Sequence, residues 1–481
     1  MPCKIRLILA LWPLVAGLAS ATPANSGDYQ KALDLLKQAR NAEALPLLEA
    51  ARKSDPDDPD VLYNLAGCYF SLDRSMEGTR AAEDLAGRHL HDPVVLLAAG
   101  SLLLDHGSPE KAARILSSAD TLAPGNPLVL NLLASAQLKA GDSAGAAASL
   151  ERLLSNLRRT LSPGTRAILA SASQTAAALH SAESSSLAFG TLAAEFDLMA
   201  DHPQQAWDIL HSFTGAAARD ADYYKLLALA ATRLNRPAEA LTAGRHALQL
   251  APERQDLLLN LAGIYQTARD NHAAISLLQD AIRRGAVSPE IYFALALSQF
   301  NFGSYEAAIR SCDRALALDP KFDRAALLKG RSFEKLSKPR EAIEWLSRAM
   351  KLNPGCEFCR YELATVFIGQ SRLTEAEPLL RQVVAATPSN SSAQYELGKL
   401  LDARGNTAEA VTALQAAVAA DPDQDKAWYL LSRIFLRLGN KAQADRAMTS
   451  VREIKQRRLH AAEEHLSSPS KSGDTLTKPP L

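Results

Sequence analysis

Few of the usual sequence signposts of chemistry occur in this chain. Cysteine appears only five times in 481 residues, too sparsely for the disulfide framework of a small secreted domain. Glycine and proline, at 24 each, are too few for a collagen-like or proline-rich disordered chain. Neither sign of charge predominates: 53 Lys and Arg balance 53 Asp and Glu. There is thus no global basic field to hold nucleic acid or an anionic membrane. Beyond the N-terminus no apolar run approaches the length of a bilayer span. Gly-rich phosphate loops and nucleophile elbows are missing, and histidine is scattered. The grouping His460, Glu463, Glu464 and His465 sits in a charged helical stretch, where it reads as solvated surface rather than a metal site. A non-catalytic chain, without cofactor or metal, is expected.

What the sequence does contain is a period of 34 residues. Ala296, Gly330, Ala364, Gly398 and Ser432 recur at that interval, and all are small. Twelve residues further on, Ala308, Ala342, Ala376, Ala410 and Ala444 repeat in the same phase. Pro320, Pro354, Pro388 and Pro422 close the units. Such a period means stacked modules that share one continuous core. Within a unit, Tyr292, Leu295, Ala296 and Gln299 mark one face of a first helix. Gly303 breaks it, as Gly107, Gly141, Gly405 and Gly439 do elsewhere, and Ala308, Cys312 and Ala315 line a second helix.

The phase organises the chain. Residues 1–21 read as a signal peptide: Lys4 and Arg6 precede an apolar run from Leu7 to Leu18, then Ala19-Ser20-Ala21 offers a cleavage site. Export, to a bacterial periplasm or the exterior, follows as an expectation. Residues 22–160 hold four repeats and 187–458 eight. Between them, 161–186 is out of register, either an unpaired helix or a degenerate repeat. Residues 459–481 end a polar capping helix and continue into a Ser/Pro/Lys-rich tail expected to be disordered.

These residues resemble the tetratricopeptide repeat family, whose unit runs aromatic, Leu, small, aromatic, then Ala, an aromatic, Ala and Pro. Trp428, Leu431, Ser432, Phe435 and Ala444 match it, as do Leu62, Leu65, Ala66 and Tyr69. The site after the second Ala is usually Leu instead of aromatic. The resemblance covers about residues 25–458. It implies an all-α solenoid superhelix of about twelve helix-turn-helix repeats that binds other proteins.

In that family the first helix of each unit lines the concave groove. Side chains displaced there from the packing positions are Arg324, Arg331, Tyr361, Tyr395, Lys399, Tyr429 and Arg433, with Asn64 and Asn260 in earlier units. Tyr and Arg are frequent interface anchors. A protein or peptide partner carrying carboxylates is therefore expected, and a role in cell-envelope assembly or secretion fits an exported scaffold. One pair stands apart. Cys356 and Cys359, at the start of a first helix, could form a local disulfide, remain as reduced packing residues, or act as a redox dithiol. A thiol-disulfide protein and a self-associating structural solenoid are the alternatives to the adaptor.

Overall fold

The computed structural model describes residues 27–159, 165–213 and 219–467. The expected signal peptide (1–21), residues 160–164 of the out-of-register interval and the tail beyond Ser467 lie outside the described residues. Among the described residues there are 25 α-helices and no strand. The chain divides into two compact units, Met1–Pro252 and Glu253–Leu481. Each unit is a stack of antiparallel helix pairs, so the all-α, repeat-built architecture stands.

In the first unit the pairs begin at Gly27, Pro59, Pro93, Pro127, Leu187 and Ala221. In the second they begin at Gln255, Pro289, Asp323, Glu357, Ser391 and Asp425. One 17-residue helix, Arg166–Ala182, belongs to no such pair and packs on Pro127–Lys139 and Leu187–Met199.

The small residues of the 34-residue phase are the contact between paired helices. Ala308, Ala342, Ala376 and Ala410 are completely buried, as are Ala296 and Ala364. Where glycine takes the place, it does so for want of room. A Cβ on Gly398 would stand 2.6 Å from Leu414 Cγ, and one on Gly100 2.6 Å from Leu116 Cγ. Those leucines are themselves fully buried. Burying a leucine side chain is worth roughly 1.5–3 kcal/mol, so each repeat contributes a similar increment to the shared core.

The ends of the helices are handled in two ways. Many first helices are capped by a side chain: Asp58, Asp92 and Asn126 accept from the backbone N–H groups two and three residues on, each ahead of a proline in the first turn. Several second helices, such as those starting at Ser75, Pro109, Pro339 and Leu373, have no side-chain cap. Their start is held by the preceding turn. There a residue with φ between 56° and 88° ends the first helix of every pair. The next N–H bonds back five residues, as Ser108 to Leu103 (2.8 Å) and Arg372 to Phe367 (2.9 Å) do.

Glycine fills this left-handed position at Gly107, Gly141, Gly303, Gly405 and Gly439. Ala39, Asp73, Asp201, Asn235, Arg269, Ser337 and Ser371 fill it elsewhere. For an L-residue the left-handed region costs about 1–2 kcal/mol, part of which glycine returns as unfolded-state entropy. Ser371→Gly should therefore raise stability by about 0.5–1 kcal/mol, while Ser371→Val lowers it. The midpoint of urea unfolding measures both, and an unchanged midpoint for the two would mean the turn bears no strain.

Candidate partner-binding site

First helices of successive repeats lie side by side within a unit, so residues of one phase form rows across them. In the second unit two such rows come together at the Ser391–Ala403 and Asp425–Arg437 helices. Tyr395 and Tyr429 stand in one row; Lys399 and Arg433, one helical turn on, stand in the other. All four line a single depression of about 420 Å³.

The depression also takes in Lys426, Asp425 and Leu430, together with Val451 and Lys455 from the last helix, Lys441–Ser467. Its charge is unbalanced. Asp425 is paired with Arg458 at 3.1 Å, and Lys399 with Glu396 at 3.2 Å. Among the described residues Lys426, Arg433 and Lys455 form no salt bridge, and all three are exposed. Tyr429 is half open to solvent at 49%, and Tyr395 is half-buried. Burial pushes the Tyr395 phenol up, with Lys399 opposing, so it stays a hydrogen-bond donor at neutral pH.

The other groove residues are engaged within the fold. Arg324 lies over the Phe293 ring at 4.5 Å. Arg331 packs against Phe300 (4.9 Å) and Phe358 (5.2 Å) and pairs with Glu362 at 3.3 Å. Its charge is largely spoken for. Tyr361 is half-buried against the core. Asn260 is half-buried on the Gln255–Thr267 helix, away from the depression. Asn64, in the first unit, donates to the Tyr29 hydroxyl (3.0 Å) and to the Asp60 carbonyl (2.8 Å), so it braces its own helices.

Sequence reading missed Lys426 and Lys455. Lys426 shares the phase of Arg324, three repeats earlier, and could have been found from it. Lys455 lies on a second helix extended beyond the usual length, where the groove phase gives no guidance.

Cys356 and Cys359 are joined by a disulfide. Cys356 also caps the Glu357–Gly369 helix, its sulfur accepting from the Cys359 N–H at 3.1 Å, while Cys359 is buried. Cys68 and Cys312 are buried free thiols; burial pushes that of Cys312 up to about 12, well away from reactivity. His460 makes a surface contact with Glu463 at 3.5 Å.

Tetratricopeptide repeat models match residues 29–84, 259–321, 361–425 and 395–445, and a second such model matches 103–160. A model described as anaphase-promoting complex, cyclosome, subunit 3 matches 301–383. The chain belongs to the tetratricopeptide repeat family. Among solved structures, MamA from Desulfovibrio magneticus RS-1 is 24% identical, covering 35% of this chain and 95% of its own, with a TM-score of 0.33. YrrB, titled a TPR protein with an unusual peptide-binding site, is 22% identical over 39% of this chain and 97% of its own, at 0.33. The APC/C hetero-tetramer Cut9-Hcn1 is 16% identical over 93% and 90%, at 0.37. No curated protein matches the sequence.

The Arg331–Glu362 pair has a pH signature. Burial raises the Glu362 carboxyl above its ordinary value, and Arg331 lowers it part of the way back. A carboxyl raised in the native state contributes stability below its unfolded pKa and loses it as pH rises through the native one. Arg331→Gln removes the opposing cation. It should cost on the order of 1–2 kcal/mol at pH 7, shrinking as the pH falls through the carboxylate range. Urea unfolding of both proteins at pH 7 and pH 4 checks this; an equal loss at the two values would assign it to packing alone.

Proposed function

We propose that this protein is an exported, non-catalytic scaffold that captures an acidic segment of a partner protein in the depression around Tyr395, Lys399, Tyr429 and Arg433. One observation carries the reading: Lys426, Arg433 and Lys455, none of them in a salt bridge among the described residues, converge there beside Lys399, which Glu396 pairs, and Asp425, which Arg458 pairs. A cation and a carboxylate 4 Å apart in water gain only about 1 kcal/mol, so several must act together for useful affinity. Such contacts are screened by salt. The tyrosines add the contact area that charge lacks.

The charge double variant Lys399→Glu/Arg433→Glu tests this. Fluorescence anisotropy with a labelled twelve-residue peptide of alternating Glu and Ala is expected to show at least tenfold weaker binding than the parent protein. Raising the salt concentration should weaken the parent likewise. Undiminished binding by the variant would remove the depression from the mechanism.

Export and a place in cell-envelope assembly are part of the same proposal. They rest on Lys4, Arg6, the apolar Leu7–Leu18 run and Ala19-Ser20-Ala21. Expressed in a bacterial host, the protein should be recovered outside the cytoplasm with Thr22 as its first residue by mass spectrometry. Recovery from the cytoplasm with the leader intact would refute export.

A further inference from the structure

The Cys356–Cys359 disulfide has no part in the depression. It sits at the start of the Glu357–Gly369 helix, two repeats before Tyr429. As a staple it adds little. The stabilisation a disulfide gives through the unfolded chain grows with the loop it closes, and these cysteines are only three residues apart. Backbone bonds already hold the same turn, from the Cys356 N–H to the Asn353 carbonyl (3.0 Å) and from the Arg360 N–H to the Cys356 carbonyl (3.3 Å).

The two sulfurs are unlike. Cys359 is buried, at 1% exposure, in a cluster with Ala315, Ala325 and Ala349. There a neutral thiol packs as a small apolar group and a charged one is disfavoured. Cys356 is half-buried at the N-cap, between the exposed Gly355 and the exposed Phe358 ring of the first turn. The Cys359 N–H donates to its sulfur at 3.1 Å. That donor and the positive end of the helix favour a thiolate at Cys356 over an uncharged disulfide sulfur. Arg360 donates to the Pro354 carbonyl, in the turn before Cys356, while the Glu357 carboxylate is held by Thr387 at 2.6 Å.

We infer that Cys356–Cys359 is an exchangeable disulfide that accepts two electrons from the dithiol of a partner protein, with Cys356 the sulfur attacked. One thiolate of the dithiol bonds to Cys356 Sγ as the bond to Cys359 breaks. Cys359 leaves with the electron pair and takes a proton from solvent. The partner's second thiolate then attacks its own sulfur in this mixed disulfide and releases Cys356 as the thiolate at the helix N-terminus. The dithiol has become a disulfide and given its two protons to solvent. Each chain oxidises one dithiol, so the exchange is stoichiometric and goes beyond the scaffold reading without making the chain an enzyme. It rests on no part of the acidic-segment proposal.

Two arms test this, with Cys3→Ser throughout so that the other thiols are Cys68 and Cys312, both buried. In the first, the oxidised full chain is mixed with excess reduced peptide carrying a Cys-Gly-Gly-Cys pair, alkylated, and weighed by mass spectrometry. About one equivalent of peptide should be oxidised per chain, with Cys356 and Cys359 alkylated and the helical circular dichroism unchanged. A disulfide that survives until urea unfolds the chain would overturn the inference. In the second arm, Cys359→Ser and Cys356→Ser are each treated with oxidised glutathione. Cys356 should form the mixed disulfide about a hundredfold faster than Cys359. Equal rates, or a faster Cys359, would overturn Cys356 as the attacked sulfur. The first arm leaves the pair intact, so it decides the exchange even where a variant fails to fold.

Discussion

The close approach of the two helices in each pair is the constraint on which the rest depends. At two sites per repeat there is space for a hydrogen or a methyl group and little more, as the 2.6 Å distance from a Gly398 Cβ to Leu414 makes plain. Small residues there let backbones pack at short range while larger aliphatic groups fill the gaps around them. With that separation held constant, one repeat follows another within a unit at a regular step. The first helices then stand in line, and side chains of equal phase become rows.

The turn between paired helices is the second constraint, and it is conformational. All twelve pairs among the described residues have a left-handed residue at the same place and the same N–H bond back five positions. Glycine accepts this at no steric cost, yet seven turns place a side chain there. The strain is tolerated because the helices on either side are anchored by packing. A turn that would be marginal in an isolated hairpin becomes obligatory once its neighbours are stacked.

Charge in the groove is apportioned by packing. Arg324 and Arg331 stack on phenylalanine rings, and Arg331 is further held by Glu362. Around the last two first helices Lys426, Arg433 and Lys455 stay exposed to solvent. The same residue types, in the same groove, thus serve as internal braces in one repeat and as candidate contacts in the next. Asn131 shows the other extreme. Helix Arg166–Ala182 lies against its repeat, Ser171 takes its amide hydrogen bond at 3.0 Å, and the side chain is buried.

Helix content, the pairing of helices and the buried small residues were legible from the sequence, because a strict period exposes them many times over and each instance checks the others. Five of the left-handed turns were marked by glycine; those at Arg269 or Ser371 were visible only through their phase. Tyr395, Lys399, Tyr429 and Arg433 were candidates from the groove phase that the family resemblance implies. Tertiary structure alone decided which candidates meet and which are engaged, since the partners of Arg331 come from the repeats on either side. It also brought in Lys455 from a helix that outruns its repeat. Periodicity is a local property that the chain carries along its whole length. The balance of charge at a site depends on distances across repeats, which exist only once the helices are packed.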